Sequence, residues 1–234
     1  MRPNPAVTIR KFSKVRFTIA DLIQTGAMTT GIGDTLSNYI EAGKTMLISG
    51  GTGSGKTTLL NALADFIPEG ERIVVIEDTS ELRIGKLNLL ASECQTESHT
   101  GAVSFNDLLK AALRWRPDRI ILGEVRGEEA RTLLDSLNTG HSGSLATIHA
   151  NSAAKALRRF ANLVLRSHSQ ATFEDIEAEI GEAVDYVVHV ERQPGRRVIR
   201  EVLKLNGYDR TAQMFQMEQV FQTGSQEIVG GKPC

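Results

Sequence analysis

Four short, almost unbroken runs of apolar residues mark the first two thirds of the chain. They cover residues 45–48, 73–76, 120–122 and 145–148. Apolar runs without polar alternation are typical of strands that are buried on both faces, as in a parallel sheet with helices on either side. The pattern therefore predicts an α/β fold with a mostly parallel central sheet.

Other segments carry apolar residues at every third or fourth position and predict helices that pack on the sheet. One begins with a variant of the capping box formed by Ser104 and Asp107, and another with the pair Thr172 and Asp175. The predicted helices are 20–24, 35–42, 105–113, 128–137, 157–165 and 172–183.

After Gly181 the apolar period changes to two residues. Residues 184–190 alternate, Pro194-Gly195 forms a turn, and residues 199–205 alternate again. This arrangement predicts a C-terminal antiparallel hairpin. A last strand is predicted over residues 213–220, and the Gly/Ser-rich end from residue 224 is expected to fray.

Composition narrows the class of protein. A chain of 234 residues with 41% hydrophobic residues suits one large α/β domain or two small ones. A net charge of -1 disfavours strong nucleic-acid binding. Only Cys94 and Cys234 are present, which fits a reducing compartment. Since no apolar stretch is long enough for a transmembrane segment and no signal core is present, we expect a cytoplasmic protein.

The first apolar run leads directly into a glycine-rich loop that fits the pattern G-x-x-x-x-G-K-[ST] and is followed by a helical pattern. In such a loop, backbone N–H groups and the positive end of the helix dipole surround phosphate oxygens. Lys56 is expected to reach the β- and γ-phosphates of ATP, and Thr57 to bind Mg²⁺. The predicted nucleotide-binding residues are Gly50, Gly51, Thr52, Gly53, Ser54, Gly55, Lys56, Thr57 and Thr58.

The other three apolar runs also end in reactive side chains, at Glu77, Glu124 and His149. Ligands of open α/β sheets lie at the carboxyl ends of the strands, so these groups should share one site. ATP hydrolysis requires carboxylates for Mg²⁺ and for the attacking water, and a polar group near the γ-phosphate. We therefore predict that all three are catalytic. We also predict that Glu124 serves the metal, through water, because Gly123 stands where a metal-binding Asp is usual.

Four segments together resemble the motifs of the secretion traffic ATPases, which serve type II and type IV secretion, pilus assembly and conjugation. They are residues 50–58, Ile-Glu-Asp-Thr-Ser-Glu-Leu (76–82), Ile-Leu-Gly-Glu-Val-Arg (121–126) and the histidine-containing segment 139–152. Their order matches the nucleotide-binding, aspartate, degenerate second nucleotide-binding and histidine boxes of that family. Residues 9–12 and 207–209 are similar to the conjugal-transfer (TrbB-like) and tight-adherence branch.

The resemblance implies a RecA-like P-loop ATPase domain over residues 21–222, between a linker segment (1–20) and a frayed tail (223–234). It further implies a homohexameric ring at the cytoplasmic face of the inner membrane, where ATP and Mg²⁺ drive work on membrane components of a transport apparatus. Family members carry a domain ahead of the linker. We therefore expect a nucleotide site that is open on that side, with Arg10, Arg83 and Arg126 as candidates for phosphate or intersubunit contacts.

Three functions remain open at this point. The first is an ATP-hydrolysing motor for export, conjugation or pilus assembly. The second is an assembly component that binds nucleotide with little turnover, and the third is a DNA-translocating motor on the same fold. Phosphate release distinguishes the first two, and salt-dependent DNA binding tests the third.

Overall fold

The structure, a computed structural model, describes residues 16–95, 102–167 and 170–223. Eight strands in these ranges form one sheet. They are β1 Met46–Gly50, β2 Ile73–Glu77, β3 Leu89–Glu93, β4 Arg119–Val125, β5 Leu145–Ile148, β6 Tyr186–Gln193, β7 Arg196–Asp209 and β8 Met214–Gln222. The order across the sheet is β3-β2-β4-β5-β1-β6-β7-β8. The first six strands are parallel, and the pairs β6–β7 and β7–β8 are antiparallel.

Helices cover both faces of the sheet. They are α1 Ile19–Gln24, α2 Thr30–Glu41, α3 Lys56–Leu63, α4 Phe105–Ala112, α5 Glu129–Asn138, α6 Ala153–Arg166 and α7 Phe173–Ala183. Adjacent residues of β1 point into different cores: Leu47 packs with α4 to α7, and Ile48 packs with α1 to α3. Strands buried in this way explain the unbroken apolar runs. The predicted α/β fold, with its mostly parallel sheet and C-terminal hairpin, is confirmed.

Several elements have other bounds than predicted, such as α6, which begins four residues early at Ala153, and two differences have a clear physical cause. Helix α2 begins at Thr30, five residues before the predicted start, although its first turn contains Gly31 and Gly33. A Cβ on Gly33 would lie 3.0 Å from side-chain atoms of Ile19 and Ile23, so the close packing of α1 on α2 uses this glycine. Strand β3 was not predicted, because it lies at the sheet edge, is partly exposed and lacks the unbroken apolar run of a buried strand.

Strand β6 lies beside β1 and runs parallel to it. Its end at Gln193, and the turn into β7, therefore lie at the same edge of the sheet as the end of β1. Among the helices of the described ranges, none is long and apolar enough to cross a membrane. The predicted linker segment (1–20) falls mainly, and the end from residue 224 that was expected to fray falls entirely, outside the described residues.

Candidate active site

The glycine-rich loop connects the end of β1 to the start of α3. Gly53 and Gly55 have φ angles of +68° and +100°, a backbone conformation that side chains disfavour. Gly50 is required for a different reason, because a Cβ there would lie 2.4 Å from both the Val190 carbonyl oxygen and the Ser54 Oγ. Glycine at these three positions allows the loop to turn sharply beside β6.

The loop has unfilled hydrogen-bonding capacity that fits a phosphate. Helix α3 begins without a side-chain cap, so its first N–H groups have no partner from a capping residue. The buried Ser54 Oγ also has no hydrogen-bond partner among the residues that the structure describes. By contrast, a Ser or Thr side chain caps each of α1, α2, α4, α6 and α7. Uncapped N–H groups at a helix start are well suited to an anion.

Lys56 is held inside the loop. Its side chain is buried, and Nζ donates hydrogen bonds of 3.0 Å to the carbonyl oxygens of Gly50 and Gly51. Burial lowers the pKa of this ammonium, and the nearby negative charge of Glu124 opposes that shift. The loop therefore holds a partly desolvated cation in place before any ligand arrives.

Glu124 and His149 lie beside this ammonium. The His149 Nδ1 is 3.5 Å from Lys56 Nζ, and the His149 Nε2 is 3.6 Å from the Glu124 Oε1. Burial, and then the charge of Lys56, lower the pKa of His149, while Glu124 raises it. The structure thus brings together three of the predicted site residues, with the imidazole between the cation and the carboxylate.

An irregularity in β4 places Glu124. The register between β4 and β5 shifts between Leu122 and Val125, so β4 continues past its apolar run and carries Glu124 on a bulge. The Thr147 hydroxyl of β5 donates a 2.5 Å hydrogen bond to the Gly123 carbonyl at the same point. Bulges redirect side chains near active sites, which accounts for a carboxylate directed toward the loop from within a strand.

The Glu77 carboxylate has hydrogen-bond partners that the sequence did not indicate. It is buried, which raises the pKa of its carboxyl, and its Oε1 accepts hydrogen bonds from the backbone N–H groups of Glu81 (3.0 Å) and Leu82 (2.9 Å). A Cβ on Gly123 would lie 3.2 Å from the Glu77 Cγ. Glu77 therefore orders the segment after β2 and occupies the space that an Asp at position 123 would need.

The donor groups at the loop fit Mg²⁺ held jointly by protein and nucleotide. No cluster of three or more His, Cys, Asp or Glu side chains that could hold a metal occurs in the described part of the chain. Thr57 lies in the first turn of α3, half-buried, and the Glu124 side chain is 31% exposed. One hydroxyl, phosphate oxygens and water, with Glu124 acting through water, suit a cation that keeps several water ligands.

Of the three arginines proposed for phosphate or intersubunit contacts, the structure describes Arg83 and Arg126, and it pairs neither with residues 50–58 of the loop. Arg126 forms an ion pair of 2.8 Å with Asp78 and lies over the Phe105 ring. Arg83 is exposed, and its backbone N–H donates to the Asn61 side chain of α3. Arg10 lies outside the described residues. The arginines that do touch the loop, Arg192 and Arg197, were not singled out from the sequence.

A buried polar chain behind the loop also escaped the sequence analysis. The His189 Nδ1 on β6 lies 2.9 Å from the Ser49 Oγ on β1, one residue before the loop begins. Glu201 pairs with His189 across β6 and β7, and its Oε1 accepts a 2.7 Å hydrogen bond from the Ala153 N–H at the start of α6. In the sequence, His189 and Glu201 were only a histidine and a carboxylate within two predicted strands of alternating apolar residues. The neighbours of those strands in the sheet were unknown.

A glycine-rich loop between the first strand and a helix, at the carboxyl edge of a RecA-like parallel sheet, defines a P-loop nucleotide-binding protein. Comparison with known proteins then specifies the family. The family model described as "Type II/IV secretion system protein" matches residues 2–224. The chain therefore belongs to this family, and the resemblance noted in the sequence is confirmed.

Individual relatives agree with this membership. The conjugal transfer protein TrbB of Rhizobium radiobacter is 41% identical over 208 residues, which are 87% of this chain and 61% of that protein. The type IV secretion system protein PtlH of Bordetella pertussis is 44% identical over 179 residues, 74% of this chain and 52% of that protein. The VirB11 ATPase of the Brucella suis type IV secretion system matches with a TM-score of 0.67 at 31% identity, over 82% of this chain and 64% of that one. The chain thus spans between half and two thirds of these relatives.

Proposed function

We propose that this protein is a Mg²⁺-dependent ATPase that powers a bacterial secretion, conjugation or pilus-assembly apparatus. The observation that carries the proposal is the contact series Lys56–His149–Glu124 beside an uncapped phosphate loop. A structural loop would not need a buried ammonium next to an imidazole and a carboxylate. Membership of a family that includes a secretion ATPase supports the same reaction.

Each residue has a distinct task in this reaction. The loop N–H groups and Lys56 bind the β- and γ-phosphates, and Glu124 holds and orients the attacking water. His149, between these groups, senses or contacts the γ-phosphate. Glu77 lies next to Gly123, one residue before Glu124, and acts as a second carboxylate for the attacking water or the metal shell; it also keeps the segment after β2 in place. Thr57, together with the phosphates, would hold Mg²⁺, which would supply neutralisation of phosphate charge.

The test separates nucleotide binding from turnover. Lys56→Ala should abolish hydrolysis and much of the ATP affinity, because its ammonium is the positive side chain within the loop that neutralises the charge of the β- and γ-phosphates. Glu124→Gln should keep ATP affinity within a few fold and lower turnover by about 10², since it removes a water-orienting charge but not a phosphate contact. Glu182→Gln, the same change on the exposed surface of α7, serves as the control.

Binding is measured by calorimetry and turnover by steady-state phosphate release. Equal losses of affinity and rate in Glu124→Gln would contradict the assigned role. ATP binding by the parent chain without phosphate release, with and without Mg²⁺, would instead favour an assembly component. Salt-sensitive DNA binding would favour a DNA-translocating motor.

The assembly state is part of the proposal. We place the protein on the cytoplasmic side of the inner membrane, as a homohexamer in contact with membrane components of the apparatus. The names of the relatives, which describe conjugal transfer and type IV secretion, support this setting. Light scattering of the chain alone, and of the chain fused before Val7 to the upstream domain of a relative, measures whether that domain promotes ring formation. A stable, fully active hexamer of the 234-residue chain alone would show that it is dispensable.

A further inference from the structure

The turn between β6 and β7 carries three arginines to the edge of the phosphate loop. We propose that two of them, Arg192 and Arg197, bind the α- and β-phosphates of the nucleotide from the side opposite Glu124 and His149. This inference rests on the proposed function, because it assigns further binding groups to the same nucleotide. It does not depend on whether the bound nucleotide is hydrolysed.

Both side chains lie directly on the loop. The Arg197 Nε donates a 3.0 Å hydrogen bond to the Gly53 carbonyl oxygen. A Cβ on Gly55 would lie 3.1 Å from the Arg197 Cδ, and a Cβ on Gly53 would lie 3.5 Å from the Arg192 Nη1. Glycines at these loop positions therefore leave room for the arginine side chains as well as permitting the left-handed backbone.

The charge of these arginines is not balanced within the described part of the chain. No carboxylate there lies within ion-pair distance of Arg192, Arg196 or Arg197. Arg196 donates instead to the neutral Gln193 side chain, at 3.0 Å. Arg200, on the same strand, differs because it pairs with Glu191 at 3.8 Å. Clustered guanidinium groups repel one another, so an anion between them would be favourable.

An open cavity lies between these side chains. It has a volume of about 230 Å³ and is lined by Arg192, Gln193, Gly195, Arg196 and Arg197. Gly195 at the tip has a φ of +77° and nothing within 4 Å of a Cβ position, so this end of the turn faces free space. The charged groups that line the cavity are three guanidinium groups and no carboxylate of the described residues, which suits phosphate and not a cation.

The order of strands decides which phosphates the arginines meet. Strands β5 and β4 lie on one side of β1, and β6 and β7 lie on the other. Glu124 and His149 belong to the β4–β5 side, where the terminal phosphate is cleaved in the proposed reaction. The hairpin therefore faces the part of the phosphate chain nearer the nucleoside, which ATP and ADP share.

Because ATP and ADP share these phosphates, a comparison of the two nucleotides tests the proposal. Arg192→Ala and Arg197→Ala should each weaken the binding of ADP and of ATP by the same factor, about tenfold, as expected for the loss of a charge-assisted contact. Arg166→Ala, an exposed arginine at the far end of α6, makes the same change in charge and should leave both affinities unaltered.

Binding of ADP and ATP is measured by calorimetry, and the melting temperature of each nucleotide-free variant shows whether the fold is intact. Arg192→Ala is the decisive variant, since loss of the Arg197 hydrogen bond to Gly53 could itself loosen the loop. A loss confined to ATP would mean a γ-phosphate contact and would overturn the proposal, and so would unchanged affinities for both nucleotides. If the parent chain bound neither nucleotide, the proposed function would fail and this inference with it.

Discussion

Gly50 and Gly51 are adjacent in the loop, but the structure predicts opposite outcomes for their replacement by alanine. A Cβ on Gly50 would lie 2.4 Å from the Val190 carbonyl oxygen, whereas ordinary contacts begin at 3.4 Å, and nothing lies within 4 Å of a Cβ on Gly51. The clash cannot be relieved by a side-chain rotation, because Val190 is paired with Gly50 in the sheet and the atom belongs to the backbone.

The expected loss of stability in Gly50→Ala follows from the distance by which the added Cβ and the Val190 carbonyl oxygen must move apart. Strand β1 or β6 has to move by about 1 Å, and forced overpacking of this kind typically costs about 1–3 kcal/mol. For a domain of this size, a loss of about 2 kcal/mol lowers the melting temperature by about 4–8 °C. Gly51→Ala should leave it within about 1 °C, because the added methyl group meets no atom.

Thermal unfolding of the nucleotide-free proteins, followed by circular dichroism, measures this difference without any contribution from ligand. Phosphate binding by Gly50→Ala should also weaken, because the loop begins at the displaced residue. If the two variants melted at the same temperature, the close contact between the loop and β6 would not exist. The argument for the arginines of the neighbouring hairpin would then lose its geometric basis.

Three further predictions concern residues around this loop and at the opposite end of the sheet. Arg119→Met should lower stability by about 3 kcal/mol, measured by urea unfolding, because the buried guanidinium binds Glu71 and the Gly143 carbonyl; ATP binding should persist. Burial keeps the pKa of His189 below its ordinary 6.5, although the charges of Glu201 and Glu191 raise it. As the pH falls, this histidine therefore gains its proton in the unfolded chain before it does so in the folded protein. Stability should therefore decline below about pH 6.5, and His189→Gln should show a shallower decline in melting temperature between pH 7.5 and 5.5. Glu77→Gln should keep ATP affinity and lower turnover by about 10², whereas Glu77→Ala should also lower the melting temperature, because two backbone N–H groups lose their acceptor.

The buried strands and the loop could be predicted because their signals are local. An apolar run such as 73–76 has the same meaning in any parallel sheet, and a glycine such as Gly55 marks a loop position whose backbone conformation only glycine adopts readily. Capping residues such as Ser104 and Thr172 marked helix starts within one residue. Local chemistry was therefore enough for the buried strands, for these helix starts and for the loop between β1 and α3.

The rest of the site depends on which strands are neighbours, and sequence does not give that order. Arg192 and Arg197 become loop residues only because β6 is parallel to β1 and adjacent to it. His189 becomes a partner of Ser49 for the same reason. The bulge that directs Glu124 toward His149 is likewise a property of the pairing of β4 with β5, and its effect on the carboxylate could not be seen in a linear pattern.

The central claim is that Lys56, His149 and Glu124 form one hydrolytic centre, and a double-mutant cycle on Glu124→Gln and His149→Asn tests it most directly. The two side chains are 3.6 Å apart. Groups that act as a unit give strongly non-additive losses. Steady-state phosphate release at saturating Mg·ATP should therefore fall by about 10² in each single variant, and hardly further in the double variant. Losses that multiply, to about 10⁴ in the double variant, would contradict the account, because the two residues would then act independently.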